Sequence, residues 1–144
     1  MKDESFGIVP IFAQEKSYLF LVVQHHAGHW GFPKGHANPG ELPVEAARRE
    51  LEEETGIQDY RLLDDTPLVE SYTFIKGEKT VEKTVTYFLA QVNAQNISCQ
   101  EAEIQNYSWA NFDETLQLIT FEQGKKILVE AQKRLKSLGL IAGE

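Results

Sequence analysis

The chain has 144 residues, 42% hydrophobic and 25% charged, with a formal net charge of −8. That length suits one domain, residues 1–144, with a real core, and the composition is that of a globular chain rather than a disordered or fibrous one. The acidic balance argues against broad binding to a nucleic-acid backbone, and no apolar stretch is long enough to span a bilayer.

The opening MKDESFG lacks the basic-then-apolar order of a signal peptide. Cys99 is the single cysteine, so an internal disulfide is ruled out. A cytoplasmic location is therefore expected, with Cys99 in a structural role.

Residues 5–13 and 18–24 are rich in Ile, Val, Phe and Leu and read as strands, joined by a turn over Gln14–Ser17. Residues 25–40 read as a loop punctuated by Gly28, Gly31, Pro33, Gly35, Pro39 and Gly40. Pro43 fits the first turn of a helix, where its missing N–H costs nothing. Gly56 fits the position just past that helix. Strands are expected at 68–75 and 79–92, about a turn at Lys76-Gly77-Glu78, and again at 105–110. Asp113 is expected to cap a short helix running to Leu118. Thr120 with Gln123 has the form of a capping box. It is expected to open a longer helix with Phe121, Gly124, Leu128, Ala131, Leu135 and Leu138 along one side. The order of strands, helix, strands, helix predicts an α/β fold with a mixed sheet packed between helices.

The segment 35–57, GHANPGELPVEAARRELEEETGI, carries most of the functional information. At ~100° per residue, with Val44 at zero, Ala47 and Leu51 fall near ~300° and ~340° and complete a narrow apolar stripe. Glu53, Glu50 and Glu54 share one flank within a ~100° arc, while Glu45 and Glu52 lie on the other beside Arg48. The second pair reads as solvated surface. The first three run against local preference. Glu50 and Glu54 are a like-charge i, i+4 pair, and they sit towards the end of the helix where the dipole disfavours anions. Both facts point to a counter-ion, and oxygen-only ligands favour Mg²⁺ or Mn²⁺. A solvated acidic face is the plain alternative.

The same segment resembles the Nudix box: Gly35, then Glu41, Arg49-Glu50-Leu51, Glu53-Glu54 and Gly56-Ile57, with every defined position met. A chance match at a given start is below about 10⁻⁸. The resemblance implies an α/β/α sandwich and metal-dependent hydrolysis of a diphosphate. It implies Glu50, Glu53 and Glu54 as Mg²⁺ ligands (Mn²⁺ as an alternative), with a contribution from the Gly35 carbonyl. It also implies that a carboxylate, with Glu53 favoured, takes the proton from water. Arg49 is expected to orient a box carboxylate such as Glu41.

Outside the box, HWGFPKGHANPGE (29–41), KTVTYFLA (83–90) and EIQNYSW (103–109) are similar to the asymmetrical diadenosine tetraphosphate hydrolases of that family. This similarity implies Lys34 and His36 at the phosphate chain, Lys83 at a distal phosphate, Tyr87 stacked on adenine and Glu103 as a further acid near the metal. Tyr87 alternates with Val85 and Leu89, so a core position is also open. Lys34, His36 and Lys83 are open to a solvated-surface reading, and Glu103 has competitors in Glu101 and Gln105. Trp30 and Phe32 either flank a second base or anchor their loop. His25, His26 and His29 fit none of the common zinc spacings and are expected as solvated loop residues. The segment 71–79 matches this subfamily poorly.

The expected activity is Mg²⁺-dependent hydrolysis of a dinucleoside polyphosphate, a small nucleotide partner with no membrane and no stable nucleic-acid binding. RNA 5′-pyrophosphate removal and nucleoside triphosphate hydrolysis are alternatives within the enzyme class. A catalytically silent nucleotide sensor is the alternative outside it, and retention of Glu50, Glu53 and Glu54 argues against it.

Overall fold

The first strand sets the layers. In the computed structural model, which describes residues 1–15, 17–99 and 104–140, β1 (Lys2–Ala13) is buried on both faces through its centre. Strand residues alternate between faces. Phe6 and Ile8 therefore meet one apolar cluster, and Val9 and Ile11 meet another. The first cluster packs Ala46, Ala47 and Leu51 of α1 (Pro43–Thr55) against the sheet. The second packs Ile127, Leu128, Ala131 and Leu135 of α3 (Glu122–Ser137) against the opposite face. The result is the expected α/β/α sandwich.

The remaining strands are β2 (Tyr18–His25), β3 (Trp30–Gly31), β4 (Lys34–Gly35), β5 (Tyr60–Leu62), β6 (Leu68–Lys76), β7 (Lys79–Val92) and β8 (Ile104–Ala110), with α2 at Phe112–Leu118. Among the described residues they form one mixed sheet along the order β3-β2-β1-β7-β5, with β4 on β1, β6 on β7 and β8 on β2. Only the β1–β7 pair is parallel. Its register sets Asp3 beside Lys83, Ser5 beside Val85 and Gly7 beside Tyr87. On the other side of β7, Tyr72 pairs with Lys83 and Glu70 with Val85. Asp3, Lys83 and Tyr72 thus form one row across three strands.

Several expectations need correction. The loop expected at 25–40 contains the short strands β3 and β4, held on β2 and β1 by backbone pairing. β5 was not foreseen, and β1 begins three residues earlier than expected. Asn111, not Asp113, caps α2, with its side chain accepting from the Glu114 N–H at 2.9 Å. The Thr120–Gln123 capping box does not form, because Phe121 holds the cap position without a side-chain bond. Thr120 serves a tertiary contact instead. Its Oγ1 accepts from the Trp30 N–H at 2.8 Å and its own N–H donates to the Trp30 carbonyl at 3.1 Å. Phe121 and Leu138, expected on the buried side of α3, are exposed.

α1 ends as expected. Gly56 sits at φ 74°, in the left-handed region, and its N–H donates to the Glu52 carbonyl. A Cβ there would also come within 3.1 Å of the Ser98 side chain. Gly56→Ala should lower stability by about 1–2 kcal/mol. Urea unfolding checks this as a shifted midpoint with an unchanged slope.

Candidate active site

α1 presents its acids as the wheel predicted. Glu45 and Glu52 are exposed, Glu50 and Glu53 are partly covered, and Glu54 is buried. Arg49 organises them. Its Nε and Nη2 donate to the two carboxylate oxygens of Glu41 at 2.9 and 3.1 Å. Its Nη1 donates to Glu50 Oε1 at 2.8 Å and to Glu53 Oε2 at 3.0 Å. Its Nη2 also donates to the His36 carbonyl at 2.8 Å. Glu41 in turn accepts from the Asn38 N–H at 2.8 Å, which fixes the loop before the helix. The Arg49 hydrogen bonds hold the Glu41 carboxyl below the usual carboxylate range, and the same bonds, Glu41 first, raise the guanidinium pKa further.

β4 brings the loop to this cluster. Gly35 packs so closely on Glu50 that a Cβ would fall on the carboxylate. Only glycine leaves room there. Among the described residues, no three acids, imidazoles or thiols are already drawn into a metal cage. The donor set nevertheless fits a hard divalent cation. It is all oxygen, two of its carboxylates converge on a single Arg49 nitrogen, and the Gly35 backbone adjoins one of them. Glu53 has the more open of these two side chains, 41% exposed, and so faces the water. Glu103, the expected additional acid, lies outside the described residues.

The next residue back along β4 faces elsewhere. Lys34 lines a cavity of about 270 Å³ together with Lys83, Tyr87 and Glu70. Burial lowers the Lys34 pKa, repulsion from Lys83 adds to it, and attraction from Glu54, Glu70 and Asp3 opposes it. Lys83 is also buried. Its Nζ donates to Ser5 Oγ at 2.6 Å and to Asp3 Oδ2 at 3.0 Å. The other Asp3 oxygen accepts from His36 Nε2 at 2.8 Å. Burial acts to raise the Asp3 carboxyl, but the bonds from Lys83 and His36 prevail and lower it. The three residues expected at phosphate are thus gathered around Asp3, which sequence reasoning missed. Only the strand register, Asp3 beside Lys83, reveals it.

Tyr87 is 2% exposed and packs edge-on against Phe32 with ring centroids 5.8 Å apart. It belongs to the core beneath the cavity, the alternative its alternation with Val85 and Leu89 left open. The more open aromatic surfaces come from Tyr72 and Phe74 of β6 and from Phe121, which is 55% exposed and lies 5.3 Å from the His29 ring. His25 and His29 are not solvated loop residues as expected. They stack at 4.5 Å in the cavity wall, and burial, then His29 and Lys34, lower His25 to about 4, so it is neutral near pH 7.

Residues 1–132 match the NUDIX domain. The chain belongs to the Nudix family. As a Nudix hydrolase it acts on phosphoric anhydride bonds, and the family works with a divalent metal. The chain is 38% identical over 121 residues to the asymmetrical bis(5′-nucleosyl)-tetraphosphatase of Rattus norvegicus, covering 82% of this chain and 81% of that one. It is 32% identical to an RNA pyrophosphohydrolase of Sulfurovum, covering 67% of each. A crystal structure of a C. elegans Ap4A hydrolase binary complex superposes with a TM-score of 0.77 at 25% identity, over 93% of this chain and 98% of that one. No helix among the described residues is long and apolar enough to cross a membrane.

The Nudix box depends on the fork of Arg49, because two of its nitrogens clasp Glu41 while the third contact set reaches Glu50 and Glu53. Arg49→Lys keeps the charge and loses the fork. It should lower kcat/KM by about 10–100-fold. Steady-state kinetics over a divalent-metal titration checks this, with thermal unfolding to confirm an intact fold.

Proposed function

We propose that this enzyme hydrolyses dinucleoside polyphosphates with Mg²⁺, with diadenosine tetraphosphate giving ATP and AMP. The observation that carries this reading is the 38% identity to the rat tetraphosphatase over 82% of the chain. It is supported by a cavity of about 270 Å³ with aromatic walls, one residue along β4 from the acidic helix. Pockets of ~300–1,000 Å³ hold drug-sized ligands, so this cavity suits one base and its nearest atoms rather than a whole dinucleotide.

In this reading Glu50, Glu53, Glu54 and the Gly35 carbonyl hold Mg²⁺, and Mn²⁺ suits the same oxygens. When bound, the metal supplies Lewis-acid stabilisation of the charge that builds on the phosphates. Arg49 orients Glu41, Glu50 and Glu53. Glu53 takes the proton of the attacking water as the new phosphorus–oxygen bond forms and the anhydride bond breaks. The departing phosphate keeps the electron pair of that bond. Lys34, Lys83 and His36 receive the phosphate chain, with Lys83 exchanging part of its contact with Asp3 for phosphate oxygen. Tyr87 forms the floor under the base, while Tyr72 and Phe121 provide surfaces for stacking. A cytoplasmic enzyme acting on a free nucleotide, with no stable hold on RNA or DNA, accords with the net charge of −8.

A second reading, removal of pyrophosphate from RNA 5′ ends, is favoured by the 32% identity to the Sulfurovum enzyme. A substrate panel with Mg²⁺ separates the two. Diadenosine tetraphosphate should be cleaved to ATP and AMP. An intact dinucleotide beside trimmed triphosphate-ended RNA would sink the first reading, and nucleoside triphosphates complete the panel. Glu53→Gln and Glu54→Gln should each lower turnover at least ~10²-fold with a modest change in nucleotide binding. Full turnover in both would overturn this mechanism and point to a different set of acids.

A further inference from the structure

Glu70 is the one carboxylate of β6, and it faces the cavity between Leu68 and Tyr72. Its neighbours Val69 and Ser71 point to the exposed face. Its Oε2 is buried and has no hydrogen-bond partner among the described residues. A buried carboxyl left this way costs free energy, because the desolvated oxygen recovers nothing. Lys34 and Lys83 attract Glu70, yet neither forms an ion pair with it among the described residues. The group is therefore placed against an aromatic-walled space with hydrogen-bonding capacity to spare. His25 Nε2 in the same wall is likewise buried without a partner.

We propose that Glu70 is the specificity-determining residue of this cavity, reading the hydrogen-bonding edge of the bound base as a carboxylic acid for adenine and as a carboxylate for guanine. The inference rests on the nucleotide reading above and goes beyond it to the choice of base. The chemistry follows from donors and acceptors. Adenine presents an amino donor beside a ring-nitrogen acceptor. A carboxylic acid answers with one acceptor and one O–H donor. Guanine presents a ring N–H beside an amino group, two adjacent donors, and a carboxylate answers with two acceptors. An ionised Glu70 meets adenine with one lone pair set against another.

The surroundings supply the means for both forms. Burial raises the Glu70 carboxyl to about 7, against the attraction of Lys34 and then Lys83. The acid therefore prevails below pH 7 and the carboxylate above it. Lys34 faces it from β4, Lys83 and Tyr87 from β7, and Asp3 from β1. His25 faces it from β2, His29 from the following loop and Tyr72 from its own strand. His25 titrates near 4, Asp3 lies below the usual carboxylate value, and both tyrosines lie above their usual value of 10. Titrations that alter phosphate affinity act on both nucleotides and cancel in a ratio.

The test is the affinity ratio of AMP to GMP, measured by calorimetry with MgCl₂ from pH 6 to pH 8. In the wild-type protein, AMP should be favoured by about tenfold or more at pH 6, and that preference should vanish or reverse at pH 8. Glu70→Gln offers one donor and one acceptor at every pH, so it should keep the AMP preference with no dependence on pH. A wild-type ratio that is flat with pH overturns the proposal, and this arm needs no variant. So does a Glu70→Gln ratio that still follows pH as the wild type does, which would make Glu70 only a counter-ion for the lysines. Failure to cleave diadenosine tetraphosphate, with the ratio behaving as expected, overturns the preceding reading and leaves this one standing.

Discussion

The structure depends on placing positive charge among the acids of α1. Five glutamates in one helix repel one another, and four of them lie towards an end where the helix dipole offers no relief. Arg49 answers for Glu50 and Glu53 from within the same helix. Its planar fork meets Glu41 with two nitrogens and reaches Glu50 and Glu53 with another contact. The His36 carbonyl also takes one of its hydrogen bonds, so the guanidinium ties the helix to the loop that follows β4. That tie adds to the β1–β4 pairing that holds Gly35 at the Glu50 carboxylate. A lysine has no planar set of donors with which to do the same.

A second constraint is the parallel register of β1 and β7. It sets Asp3 beside Lys83 and brings the edge of β6 into the same row. A slip of one residue would turn every one of these side chains to the other face. Lys83 can be buried because Asp3 and Ser5 meet its ammonium there. The cavity side of the candidate site therefore rests on backbone pairing between residues about eighty positions apart in the chain.

This division explains what was legible in the sequence. The acidic helix, its glycine stop and the division of its five glutamates depend on neighbours within a few turns, and helical period exposes such relations; the Arg49–Glu41 contact was implied by the resemblance to the Nudix box instead. The layers followed from the alternation of apolar runs. Asp3, Glu70 and Phe121 were not legible, because their roles arise only when distant strands and the α2–α3 corner come together. Thr120 shows the same limit. Its local pattern fits a cap, but Trp30, ninety residues away, claims both its hydroxyl and its N–H. Tyr87 reads equally well as platform or core until the Phe32 ring is seen against it.

β4 has two residues, and pleating turns them to opposite sides: Lys34 to the cavity and Gly35 to the acids. The fold thus sets the cavity and the acidic cluster on opposite sides of one short strand. Outer wall residues such as Phe74 and Phe121 can change without disturbing the carboxylates, whereas Lys34 is attracted by Glu54 and couples the two sets. A lineage built on this plan can trade one nucleotide for another while its bond-breaking apparatus is inherited unchanged. The glycine is the fixed point of such drift, and the outer aromatic residues of the cavity are the positions free to vary.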